Sequence, residues 1–410
     1  MKKFTKVLAM LLSAAMLSTA VGCSAPAEKK EKVKNPGAQA QEMSDMKVGF
    51  IFLHDENSTY DKNFIDAATA VKEKLNLSDE QVLFKTNIPE TAECYDAAAE
   101  LADAGCDVIF ADSFGHEDFM IQAATDFPNV TFCHATGTKA HTEDMGNYFN
   151  AFANIYEGRF LVGYAAGLKL NEMIESGKIT AEQAKMGYVG AYPYAEVKSG
   201  YTSFFLGARY ACPSVTMDVK FTNSWFDIAA EKETANALIS DGCVLISQHA
   251  DSEGAPKACE EAGVPNVAYN LDTRQWGPNT ALISSKINWE PYMEHMITSV
   301  SAGTPIEQDF CKGLADEVVQ TLGFNEKVAA SGTKAKLEDL KAKLISGEVK
   351  VFDTKTFTVK GEELTEYMAD VDSDAKFTPD TQVIENGAFA ESAKRSAPYF
   401  DIDIDGITIK

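Results

Sequence analysis

From residue 47 onward, uninterrupted apolar runs alternate with stretches of helical period, and this alternation confines the chain to an α/β architecture. Residues 47–53 and 107–111 are apolar without polar alternation, the pattern of parallel strands covered on both faces. Residues 63–75 and 91–104 between them carry amphipathic helix spacing. Strands are predicted at 82–86 and 130–134, with a helix at 119–127. Residues 186–275 repeat the series. Strands fall at 186–190, 216–221, 244–247 and 266–270, separated by helices through 204–211, 229–240 and 255–262.

Two segments echo each other. Ala104-Gly105-Cys106-Asp107-Val108-Ile109 leads to Asp112-Ser113, and Asp241-Gly242-Cys243-Val244-Leu245-Ile246 leads to Asp251-Ser252. Each is a helix end, a glycine turn and an apolar strand that delivers an acid and a hydroxyl to a loop. The reading is two similar doubly wound parallel-sheet lobes, which suits 410 residues. Ligands of such sheets bind at the carboxyl ends of the strands. The loops there are 54–60, 112–116 and 134–138 in the first lobe, and 191–196, 223–227, 248–253 and 271–277 in the second. They are crowded with Asp, Asn, Ser, His and aromatics, the means of holding a polar ring.

With 37 Lys plus Arg against 61 Asp plus Glu, the formal charge is −24. A surface that grips phosphate backbones is basic, so a nucleic-acid partner is not expected. Apolar residues make up 45%, which excludes global disorder. Residues 1–22 read as a signal peptide: Lys2, Lys3 and Lys6, then an apolar run through Ala20 that is short for a membrane span. Ala20-Val21-Gly22-Cys23 resembles a bacterial lipobox, with Ala20 where Leu is preferred; Cys23 is the expected lipidation site. An ordinary secretion signal is the alternative. Residues 23–44 then form a polar, flexible tether to the membrane.

Seven further cysteines leave an odd number, so they cannot all pair; buried thiols are expected, with one disulfide left open. No zinc-type Cys/His spacing, Walker A, GxSxG, HExxH or GxGxxG occurs, so neither a metal, a cofactor nor an enzyme is expected. Asp251, His249 and Ser252 are hydrolase-like by type, but they share one short loop, whereas triad members converge from different elements.

Several stretches in order resemble the basic membrane protein family, the purine-nucleoside-receptor type of substrate-binding lipoprotein. They are Lys47-Val-Gly-Phe-Ile, Gly105-Cys-Asp-Val-Ile-Phe with Phe114-Gly115, Phe127-Pro-Asn-Val, Glu157-Gly-Arg-Phe-Leu-Val-Gly-Tyr-Ala-Ala-Gly167, Gly187-Tyr-Val-Gly190, Asn223-Ser-Trp-Phe-Asp227 and Ser346-Gly-Glu-Val349. The resemblance implies a hinged, periplasmic-binding-protein-like (type I) fold. It implies a monomer that captures a purine nucleoside or nucleobase outside the cell and passes it to ABC permease and ATPase subunits, with no bond made or broken. A simple sugar or other small polar ligand is the alternative, as is a sensor that presents to a membrane kinase.

The same resemblance implies site residues. The family's Asp-Asp-Lys-Ser-Phe-Asn run corresponds to Tyr60-Asp61-Lys62-Asn63-Phe64-Ile65, so Tyr60 and Asn63 are candidates. Trp225 stands where an aromatic stacks on the base, and Asp272 where an acid takes sugar hydroxyls. Asn288 occupies the place of a ligand-contacting Lys. Ser113, Phe114, Tyr192, His249 and Asp251 complete the set from the strand-end loops. Helix capping is the competing reading for Asp251 and Asp272, and wall or surface packing for Tyr192, Trp225 and His249. The domain reading is lobe 1 at 45–155 plus 285–352, lobe 2 at 160–280, and a C-terminal extension at 353–410. A helix at 333–344, apolar at Leu337, Leu340 and Leu344, is expected to pack on lobe 1.

Overall fold

The computed structural model describes residues 40–410 apart from Ser373 and Ala375. The signal peptide, Cys23 and all but the last five residues of the tether lie outside the described residues. In chain order, the first lobe opens with β1 (Val48–Ile51), α1 (Thr59–Lys74), β2 (Val82–Lys85), α2 (Ala92–Asp103) and β3 (Val108–Ala111). It continues with α3 (Glu117–Asp126), β4 (Thr131–Ala135), α4 (Ala140–Glu143) and β5 (Tyr148–Ala153). The long α5 (Ile155–Glu175) crosses over to β6 (Lys185–Gly190), α6 (Ala195–Ala211), β7 (Thr216–Phe221), α7 (Ile228–Ser240) and β8 (Leu245–Gln248). Next come α8 (Gly254–Ala262), β9 (Asn266–Tyr269), β10 (Ala281–Ile287), α9 (Glu290–Ala302), β11 (Asp309–Lys312), β12 (Val319–Leu322) and α10 (Thr333–Ser346).

Two sheets result. The first runs β11-β5-β4-β3-β1-β2 and is wholly parallel. The second runs β12-β10-β9-β8-β6-β7 and ends on a short strand at Ile407–Ile409; only β12 is antiparallel. The first five strands of each lobe share one order, with the reversal between β1 and β3 in one and between β6 and β8 in the other. The echoed segments are the β3 and β8 units, so the duplication read from the sequence has a topological counterpart. Val108–Ala111 and Leu245–Gln248 are buried throughout, as central strands covered on both faces are, although the second ends on Ser247 and Gln248.

The helices start and stop on local chemistry. The Ser58 hydroxyl accepts from the Asp61 amide at the head of α1, and the Asp227 carboxylate accepts from the Ala230 amide at the head of α7. Gly263 and Gly303 end α8 and α9 in the left-handed region. The glycines of α5 allow a close crossing with α6. A methyl on Gly163 would run into the Phe204 carbonyl oxygen, and one on Gly207 into that of Phe160.

The return to the first lobe is narrower than 285–352. β10 and β12 belong to the second sheet, and only α9, which packs on α1, and β11, which pairs with β5, lie with the first. Leu337, Leu340 and Leu344 are buried, but α10 lies against α5 on the second lobe, not on lobe 1. An amphipathic stripe states that a face is buried, not which body covers it. The seven cysteines from Cys94 to Cys311 are free, six of them buried, so the disulfide left open is not formed.

Candidate functional site

The carboxyl-end loops of both sheets meet around a narrow cavity, the place where ligands of such sheets bind. Leu53, His54, Tyr60 and Asp61 reach it from the β1–α1 loop, Ser113 and Phe114 from the end of β3, and Thr136 from the end of β4. The second lobe contributes Glu196, Trp225, His249, Asp251 and Tyr269. Thr136, Asn223 and Asn270, at the ends of β4, β7 and β9, hold φ of 66°, 57° and 67°. Left-handed backbone is uncommon for such residues, and for a β-branched Thr it is an outlier that the surroundings must enforce.

A buried hydrogen-bonded chain anchored on α5 underlies the cavity. Arg159 has no solvent exposure. Its guanidinium lies 3.6 Å from the Tyr269 ring centroid and donates to the Gln248 carbonyl at 3.0 Å. It also faces His249 Nδ1 at 3.2 Å. A guanidinium only donates, so Nδ1 accepts, and the imidazole proton sits on Nε2, which donates to Glu196 Oε1 at 2.8 Å. Burial, opposed by Glu196, keeps the His249 pKa low and the ring neutral. Burial works against the Glu196 carboxylate, yet His249 and Arg159 hold it below the usual range.

Acids dominate the remaining wall. Asp61 accepts from the His54 amide at 2.7 Å and from the Ser58 hydroxyl at 2.5 Å. Burial, then the charge of Asp61, pushes neighbouring Asp112 well above the carboxylate range. Asp251 is also raised by burial and by Glu231, and its Oδ1 has Asn270 Nδ2 at 3.4 Å. Tyr60 donates to the Asp112 carbonyl at 2.8 Å, and burial, then Asp112, keeps its phenol protonated. The cavity is thus walled by the rings of Trp225, Tyr60 and Tyr269, with carboxyl oxygens for donors on a ligand's edge.

Six sequence-derived candidates converge here: Tyr60, Ser113, Phe114, Trp225, His249 and Asp251. Tyr192 stands behind them, edge-on to Trp225 with centroids 5.1 Å apart and stacked on Tyr194 at 5.2 Å. Like Tyr192, three further candidates lie outside the lining. Asn63 is buried on α1 and donates to the Ile287 carbonyl at 2.8 Å, bracing one lobe against the other. Asp272 caps the turn at Thr273–Gln275 and is clasped by the Arg274 guanidinium through Nε at 2.9 and 3.0 Å and Nη2 at 2.5 Å. Asn288 accepts from the Glu290 amide at 3.4 Å ahead of α9. Capping, the competing reading, describes Asp272; Asp251 faces the cavity.

Arg159, Glu196 and Tyr269 are not among the sequence candidates, and Asp61 enters there only as a match to the family's first-loop run. The signal for Arg159 was present: a lone cation inside the apolar helix Gly158-Arg-Phe-Leu-Val-Gly163 must be paired. Two wider grooves open elsewhere, near Arg274 and Lys334 and near Arg209 and Tyr210. Neither shares a lining residue with the cavity between the lobes. Among the described residues, Asp372, Asp374 and Asp380 bring carboxylates together on the surface, far from cleft chemistry. No helix of the described residues is long and apolar enough to cross a membrane.

The family model for PnrA-like ABC transporter substrate-binding proteins matches residues 52–355. The chain is 32% identical over 321 residues to a purine-binding protein of Brucella abortus (strain 2308), across 77% of this chain and 85% of that one. It is 33% identical over 258 residues to a protein of Haloferax volcanii provisionally named an ABC transporter glucose-binding protein, across 63% and 59%. Among solved structures it resembles an ABC transporter solute-binding protein of Aeropyrum pernix K1, with TM-score 0.64 and 18% identity over 75% of this chain and 93% of that one. A second, from Conexibacter woesei, gives TM-score 0.60 and 19% identity over 74% and 98%. Two like-ordered lobes closing on a polar, aromatic cavity, and a family match over most of its length, make this chain a member of the PnrA-like family of extracytoplasmic ABC transporter substrate-binding proteins.

Proposed function

We propose that the chain captures a purine, as the free base or the nucleoside, and delivers it to its permease while anchored by a lipid on Cys23. The observation that carries the ligand is the pairing of Trp225 with carboxyl groups of Asp61 and Asp251 in one enclosed cavity. An indole face stacks on any heterocycle, for about 1–3 kcal/mol per base. Carboxyl oxygens accept from ring N–H and exocyclic amine, and a buried acceptor left unmet costs binding energy. The purine-binding name of the Brucella relative supports the reading. Asp272, which the resemblance assigns to ribose hydroxyls, is held by Arg274 outside the lining, and this favours the base over the nucleoside.

A sugar is the second reading. Carboxylates beside an aromatic face also suit hydroxyls and a C–H face, and the Haloferax relative carries a glucose-binding name. Calorimetry with adenine, guanine, hypoxanthine, their nucleosides and glucose separates the two. Heat with a purine and none with glucose is expected; heat with glucose alone overturns the purine. For the anchor, mass spectrometry of the mature N-terminus should find an acylated Cys23, and Cys23→Ser should release the protein from the membrane fraction.

A further inference from the structure

We propose that Glu231 is the positioning residue of the cleft, a buried carboxylate that ties the Trp225 loop to the Asp251 loop and thereby sets ligand affinity. Glu231 lies in the first turn of α7 with no solvent exposure and is not part of the cavity lining. One of its oxygens, Oε1, accepts from the Asp227 amide at 3.2 Å, where the Trp225 loop ends. The other, Oε2, accepts from the Ser252 amide at 3.1 Å, next to Asp251. A third bond, from the Asp251 amide to the Trp225 carbonyl at 3.0 Å, makes the two loops one unit. The Asp251 carbonyl in turn accepts from the Thr59 amide of the opposite lobe at 2.8 Å. Behind the loops, α8 begins at Gly254, seated so closely on Ile228 that an added methyl would lie 2.5 Å from its carbonyl oxygen. The stacking face, the acceptor and the inter-lobe bond therefore share one strut.

The strut titrates near neutrality. Burial pushes the Glu231 carboxyl up to about 7, against the lowering effect of its bonds to Ser252 and Asp227. Protonation turns one oxygen into a donor, and one loop amide loses its acceptor. The other charged or titratable groups on α7, α8 and the two loops are Asp227, Lys232, Glu233, His249, Asp251, Glu253, Lys257, Cys259, Glu260 and Glu261. Lys232 is paired with Glu261, and Lys257 with Glu253. Burial, then Glu231, raises the Asp251 carboxyl as well, so a variant is needed to separate the two acids.

This rests on the ligand reading above only for its affinity arm. The first measurement is amide hydrogen exchange of ligand-free protein, corrected for intrinsic rates, over 222–228 and 249–254. Wild type should lose protection there between pH 8 and pH 6, and Glu231→Gln should show the pH 6 level at both. The second is calorimetry with adenine and adenosine. Glu231→Gln should bind about tenfold more weakly at pH 8, with the loss between pH 8 and pH 6 reduced. Equal protection in both proteins, or parallel affinity profiles, overturns the assignment. If no purine binds wild type, the ligand reading fails and the exchange arm still decides Glu231.

Discussion

The Thr59 amide donates to the Asp251 carbonyl at 2.8 Å, a backbone bond between the head of α1 in one lobe and the loop after β8 in the other. Rings from the two lobes reinforce it. Phe114 stacks on Tyr194 with centroids 5.2 Å apart and planes 29° apart, and His54 meets Phe226 at 5.5 Å. Phe114 and Tyr194 remain 39% and 42% exposed, so their stack is the outer edge of a closed cleft. Such a pair contributes about 0.5–1.5 kcal/mol beyond its area. Phe114→Ala should therefore weaken ligand binding about 3- to 10-fold and raise the radius of gyration of the ligand-free protein in solution scattering. No change in either would mean that the stack does not hold the lobes.

Trp225 and Asp272 separate geometry from family resemblance. The indole lines the cavity, and its loss should weaken purine binding at least tenfold by calorimetry. Asp272→Asn should leave that affinity unchanged, because its carboxylate already serves Arg274 and the backbone of its own turn. A large loss at Asp272 would place it in the site after all.

What the sequence made legible follows a physical division. The strands at 48–51 and 108–111 announced themselves because both faces are buried, and Trp225 and Asp251 because a strand's carboxyl end is where such sheets bind. Asp272 met the same rule and still lies outside the lining. Arg274, two residues on, captures it, and a local ion pair leaves no trace in a pattern of strand ends. Glu196, Tyr269 and Arg159 were hidden for the opposite reason: their partners are 53 to 110 positions away in the chain. The segment 353–410 has neither period. It is built from strands of two or three residues and an aromatic cluster, and the cluster is visible only once folded.

Buried histidine predicts acid sensitivity. His116 is fully buried and its Nε2 donates to the Ile88 carbonyl at 2.9 Å. Burial lowers its pKa from 6.5 to about 4. A lowered histidine favours the neutral native state, so its contribution is full above pH 6.5 and is lost as pH falls toward 4. The loss is about 1.4 kcal/mol per pH unit across that window. Asp112, raised by burial and then by Asp61, acts with the opposite sign, so the whole-protein curve is a sum. The stability gap between wild type and His116→Asn isolates the histidine, and denaturant melts should show it narrowing from pH 6.5 to 4. A gap that stays constant would mean that His116 is not held neutral.

The C-terminal segment ties both lobes together. Its last strand, Ile407–Ile409, pairs with Met217–Val219 at the edge of the second sheet, and Lys198 of α6 reaches the Asp401 carbonyl at 3.1 Å and Asp403 at 3.0 Å. Ser396, a few residues earlier, donates through its amide and hydroxyl to Asp309 at 3.1 and 2.8 Å, at the start of β11 in the first sheet. Between these attachments Phe400 is fully buried, stacked on Phe352 at 4.5 Å and edge-on to Phe389 at 4.8 Å. Removing a buried Phe costs about 3–5 kcal/mol in lost transfer energy and cavity. Phe400→Ala should lower stability by that amount in denaturant melts. Ser396→Ala removes only one bond and leaves the amide donor in place, so about 1 kcal/mol is expected. If Phe400→Ala cost less than Ser396→Ala, the segment would be fastened by its polar ends rather than its aromatic centre.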